Sequence, residues 1–195
     1  YLNYVSYLDA HHEGAYLCAP INYLNKKNLW TGTHFDYGLI GNNINIFFYY
    51  LFDEITIGIN RFGSLCLILL NKILVILLCK KLIINTSEFR NQNLIFFVFC
   101  FASLGLADFN EHVNPFHARM FIFLIFFLFL IEVLIFENIK LISFIVGLFS
   151  PTAAIFYFDM GAYINAIIII SLIFLIYTKK YINFAYIFSG LIFSW

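Results

Sequence analysis

The stretch ARMFIFLIFFLFLIEVLIF, Ala118 to Phe136, decides the fold class. It is close to the ~20 apolar residues that carry a helix across a bilayer, and after Arg119 its only charge is Glu132. Similar runs flank it. Ile59–Lys80 and Asn93–Ala107 precede it, Leu141–Phe158 and Ala162–Thr178 follow, and another run starts near Asn183. The expected fold is therefore all-α: a polytopic transmembrane helix bundle with five spans and a truncated sixth. Composition points the same way. The chain is 63% hydrophobic and 11% charged, with mean hydropathy +0.89, whereas soluble domains run at about 45–50% apolar and about 25% charged. Opening at Tyr1 and stopping at Trp195 inside an apolar run, the sequence reads as a fragment open at both ends.

Composition also removes function classes. Net charge is zero and no basic cluster alternates with aromatics, so the electrostatic footprint of nucleic-acid binding is missing. Cys18, Cys66, Cys79 and Cys100 show no CxxC spacing, and three of them sit in apolar runs, where Cys acts as a small hydrophobe. The many Phe and Tyr accompany abundant Ile, Asn and Lys, all with A/T-rich codons, so genome base composition accounts for the aromatic excess.

Basic residues set the expected topology. Lys80, Lys81 and Arg90 share one connection, Lys140 lies in a second, and Lys179 with Lys180 in a third. The positive-inside rule makes those loops cytoplasmic and puts Tyr1–Glu54, Asp108–His117 and Asp159–Gly161 outside. In a bacterial cell this is a multi-pass protein of the cytoplasmic (inner) membrane whose chemistry faces the periplasm. Every histidine falls on that outer side, together with most carboxylates. Lys26 and Lys27 lie outside against the rule, but long segments translocate largely regardless of charge. Lys72 and Glu132 lie within spans, where they either pair with each other or snorkel toward the headgroups.

Residues 1–56 form an external loop domain ahead of the transmembrane region, 57–195. From His12 to Leu24, Ala15, Tyr16, Ala19 and Tyr23 recur at helical steps. Leu39–Phe52 is apolar but interrupted by Asn42, Asn43 and Asn45, which suits a helix lying on the interface. Two external interface helices are thus expected around a polar loop, Asn28–Gly38, enclosing a cavity bordered by Asp9, Asp36 and the Asp108–His117 loop.

Three short motifs carry a family resemblance. Asp9, His11, His12, Glu13 and Gly14 open the external segment; His34, Asp36, Tyr37 and Gly38 close its aromatic loop; Arg61 begins a span. Asp159, Gly161, Tyr163 and Asn165 mark the later run FDMGAYINA. The arrangement resembles bacterial GT-C glycosyltransferases, the polyprenyl-phosphate-sugar-dependent enzymes related to protein O-mannosyltransferases and the aminoarabinose transferases of lipid A. The resemblance implies sugar transfer from a lipid-linked donor, with Asp9 as general base. It also implies that His11, His12, Glu13, His34, Asp36, Tyr37, Arg61 and Asp159 contact substrate or phosphate, and Arg119, which opens another span on the outer side, is added as a phosphate-binding candidate.

Those residue types suit that chemistry on their own terms. A carboxylate takes the acceptor proton, and an Arg at headgroup level grips a phosphate through paired N–H groups. Each has a plainer alternative: Asp9 as a helix N-cap, and Arg61 and Arg119 as anchors on ordinary lipid headgroups. A divalent metal is open as a cofactor. Adjacent His11, His12 and Glu13 point about 100° apart on a helix and cannot share an ion, so Asp108, Glu111, His112 and His117 are the added candidates. Two other functions compete. A transporter or flippase of lipid-linked saccharide would use Lys72 and Glu132 as working charges, and a non-catalytic membrane scaffold would fit Leu39 and Met160 standing where the family usually has Pro and Arg.

Overall fold

The computed structural model describes residues 44–85, 96 and 115–195, together with 14, 17, 18, 20–22, 24 and 25. Among the described residues the chain is all-α, without a strand. The helices with described limits are α1 (Ile46–Phe52), α2 (Ile57–Asn85), α3 (Pro115–Ile135), α4 (Lys140–Phe156), α5 (Phe158–Tyr177) and α6 (Tyr181–Ser194). Described residues between 14 and 25 are also helical, as the periodicity there predicts. The span expected over 93–107 lies outside the described residues. Two compact units divide the chain, Tyr1–Ala118 and Arg119–Trp195.

In the first unit α1 packs on α2. Of the second expected helix, Leu39–Phe52, the part before residue 44 lies outside the described residues; a turn at residues 44–45 leads into α1 at Ile46. Asn45 is buried and donates its side-chain amide to the side-chain oxygen of Asn60 on α2. Gly63 makes the approach tight, since a Cβ there would strike the Asn45 side chain and the Phe48 ring. Phe48 and Phe52 then meet Phe62 edge to face, both at 5.6 Å between ring centres. α1 ends on Asp53 in the left-handed conformation (φ 52°). α2 is a 29-residue helix, about 43 Å long, which exceeds the ~30 Å hydrocarbon core.

Among the described residues three helices are long and apolar enough to cross a membrane, within Ile57–Ile83, Ala118–Ile135 and Phe158–Tyr177. Their exposed side chains are as apolar as their buried ones. On α5, Ile169, Ile170 and Ile173 are open while Ile164, Ile168 and Leu175 are enclosed. Water would make such a face costly; lipid does not.

The second unit is an up-and-down arrangement of α3 to α6. α3 starts at Pro115, three residues before the expected Ala118, because proline at the first helical position gives up only an amide that has no intrahelical partner there. Phe126, Val133, Val146, Ile164, Ile168, Leu175 and Ile187 form the closed core. α4 crosses α6 through glycines, Gly147 against Ile187, Gly190 and Leu191, and Gly190 against Phe144. Gly161 of α5 likewise leaves no room for a Cβ beside Ala154. Small residues admit this backbone approach, and in lipid, close packing replaces the hydrophobic drive for helix association. Pro151 sits inside α4, where it has no amide to give the Gly147 carbonyl, and the Thr152 hydroxyl donates to the adjacent Leu148 carbonyl at 2.8 Å.

The α4–α5 connection differs from expectation. Asp159–Gly161 reads as a loop in sequence, yet it is the first turn of α5, and the break is the single extended residue Tyr157 (φ −148°, ψ 129°). Asp159 is compatible with that turn because a carboxylate is favoured at a helix N-terminus; it accepts the Met160 amide at 2.9 Å.

Candidate functional site

α3 and α5 each bring one charged residue to the same end of the second unit. Arg119, near the start of α3, places Nε 3.2 Å from Oδ2 of Asp159, in the first turn of α5. The guanidinium carbon also lies 5.0 Å from the ring centre of Tyr157, which is fully buried. The one-residue break between α4 and α5 thus supplies an aromatic floor under the cation. Asp159 stays open, with 42% side-chain exposure, whereas Arg119 is mostly buried at 22% and its Nε is shielded from solvent. A partly solvated pair of this kind contributes about 0.2–1 kcal/mol, and a ring under a cation upward of about 0.5 kcal/mol. Such a pair can exchange its carboxylate for another anion.

A polar relay runs inward from that end. Trp195 donates its indole N–H to the Ser150 hydroxyl at 2.7 Å, Ser150 donates to the Asn165 side-chain oxygen, and Asn165 donates to the Gly161 carbonyl at 2.7 Å. Of the four residues of the FDMGAYINA motif, Gly161 and Asn165 therefore pack and tie helices, Asp159 bears the ion pair, and Tyr163 is open. Sequence reasoning missed Tyr157 and Ser150. Among so many aromatics and small residues, nothing local distinguishes them.

The remaining candidates separate. Arg61 is half-buried near the start of α2 in the first unit. Lys72 is half-buried in α2 and Glu132 in α3, so the two intramembrane charges belong to different units. Asp9, His11, His12, Glu13, His34, Asp36 and Tyr37 lie outside the described residues, as do Asp108, Glu111 and His112, the His117 side chain and the cavity expected among these loops. Among the described residues no three His, Cys, Asp or Glu side chains gather as a metal site, and Cys18, Cys66 and Cys79 form no disulfide. In α1, burial pushes the Tyr49 phenol up to about 12, so it stays protonated at neutral pH. Compared with protein-family models, curated proteins and solved structures, the chain finds no match.

Proposed function

We propose that the chain is part of an integral-membrane glycosyltransferase that moves a sugar from a polyprenyl-phosphate carrier to an acceptor on the periplasmic side of the cytoplasmic membrane. The observation that carries this reading is the meeting of Arg119 and Asp159 over Tyr157. In the reaction the acceptor hydroxyl attacks the anomeric carbon, the bond from that carbon to the phosphate oxygen breaks, and the phosphate leaves with added negative charge. Asp9 takes the acceptor proton and Arg119 steadies the leaving phosphate. A phosphate reaches Arg119 by replacing the Asp159 carboxylate, an exchange favoured by its greater charge and its fit to a guanidinium.

The test is transfer of labelled sugar from a polyprenyl-phosphate donor in membranes that hold the full-length protein. Arg119→Gln is expected to cut kcat/KM by about 10-fold or more, the scale of one charge-assisted hydrogen bond. Unchanged kinetics would remove Arg119 from the phosphate site. Translocation of the lipid-linked saccharide in vesicles, with no transfer, would replace the enzyme reading by a flippase.

A further inference from the structure

At the end of the second unit away from Arg119, the α3–α4 and α5–α6 turns border a half-open cavity of about 220 Å³, lined by residues 137–138 and 179–183. The α5–α6 turn is closed by paired backbone bonds: Lys180 N donates to Leu175 O at 2.9 Å and Lys179 N to Ile176 O at 3.1 Å. That pattern places Lys179 in the left-handed conformation (φ 59°), a position where glycine is the low-cost choice. Lys180 and Asn183 turn their side chains to α3 carbonyls and are thereby occupied. Glu137 and Lys179 are different. Both are exposed on the cavity lining, and neither side chain forms a hydrogen bond or ion pair with a described residue.

The cavity stands at the ends of membrane-length helices among Tyr177 and Tyr181, both open, with Lys140 lying 6.0 Å from the ring centre of Tyr186. Tyrosine and lysine at helix ends are the side chains that settle at headgroup level. Its volume falls below the roughly 300–1,000 Å³ of pockets that enclose drug-sized ligands, which restricts the occupant to a small group. A purely anionic ligand would meet Glu137 and a purely cationic one Lys179. A group with a phosphate and an amine a few bonds apart satisfies both.

We propose that this cavity binds a phosphate ester bearing a primary amine, the chemistry of a phosphatidylethanolamine headgroup. The phosphate faces Lys179 and the ammonium donates to Glu137. A choline headgroup keeps the charges but has no N–H to donate, and a glycerol headgroup has no cation. This site is independent of the transfer reading.

The test places the full chain in vesicles and measures the association of acyl-chain spin-labelled phosphatidylethanolamine, phosphatidylcholine and phosphatidylglycerol. The ethanolamine lipid is expected to associate about threefold more strongly than the other two, the scale of one exposed charge pair. Glu137→Gln is expected to erase that preference. So is Lys179→Asn, chosen because asparagine tolerates the left-handed backbone and so removes the charge without refolding the turn. Circular dichroism confirms that each variant keeps its helices. Dissolved phosphoethanolamine, tested by saturation-transfer NMR in micelles, separates the sources: saturable binding identifies a free phosphorylated amine, and none alongside the lipid preference identifies the bilayer lipid. Equal association of the three lipids with no phosphoethanolamine binding overturns the proposal, as does a preference that survives in both variants.

Discussion

At one end of the second unit, four side-chain hydrogen bonds close on four consecutive carbonyls of α3 and the turn after it; at the other, Arg119 meets the Asp159 carboxylate, which stays 42% exposed. The closed end uses Lys180 on Leu134 and Ile135 at 2.6 and 2.9 Å, and Asn183 on Val133 and Phe136 at 3.0 and 2.9 Å. Asn183 also accepts the Ile139 amide at 3.0 Å, so one fully buried side chain ties the end of α3 to the start of α4. A helix end leaves such carbonyls without intrahelical partners, and in a membrane protein they must be supplied. At the closed end Lys180 and Asn183 are committed to the backbone, while Glu137 and Lys179 beside them stay exposed. The charges at the open end are committed to each other only weakly, which suits an end that exchanges ligands.

The contrast can be broken most forcefully from between the two ends. Gly147→Leu would drive a side chain into the Ile187–Leu191 backbone, and with no flexible neighbour to yield it is expected to cost about 3 kcal/mol or more. Thermal unfolding in mild detergent checks this. A stable variant would show that α4 and α6 do not cross at glycine. Next comes the closed end: Asn183→Leu removes three bonds and is expected to cost about 2 kcal/mol by the same measurement, since interhelical bonds in membrane proteins average about 0.6 kcal/mol and carbonyls are left bare. Lys180→Met keeps the aliphatic stem and loses the ammonium, with an expected cost of about 1 kcal/mol. The open end should respond least. Asp159→Asn is expected to change stability by less than about 1 kcal/mol. A loss as large as that of Asn183→Leu would make the pair a structural tie and end the contrast.

The helices were legible because a bilayer demands long apolar runs, and those at 57–85, 115–135 and 158–177 stand out from their flanks. Turn chemistry was less so. Tyr157 breaks the chain between α4 and α5 yet reads as one more aromatic, while Asp159 and Gly161 look like loop residues and fold as helix. The closed end was hidden for another reason. Asn183 is a lone polar residue beginning an apolar run, and its partners lie 44 to 50 positions away, beyond any local pattern. Arg119 was chosen from sequence for its charge at a span end, and Asp159 as part of the FDMGAYINA motif. Their contact follows from helix pairing, which periodicity alone does not give. Ser150 and Asn165 form their relay by the same long-range route.

Sugar transfer itself is tested most directly at Asp9. Asn keeps the size of Asp and still caps a helix, so a structural Asp9 tolerates Asp9→Asn at about 1 kcal/mol or less. The amide takes up no proton at neutral pH, so a general base does not tolerate it. Transfer from a polyprenyl-phosphate sugar in membranes is expected to fall about 10²- to 10⁴-fold in Asp9→Asn with insertion and donor binding retained, while Asp36→Asn and Glu13→Gln report any general effect of removing a nearby negative charge. Retention of more than about a tenth of wild-type turnover in Asp9→Asn, less than a base contributes, would contradict the transferase mechanism with Asp9 as its base.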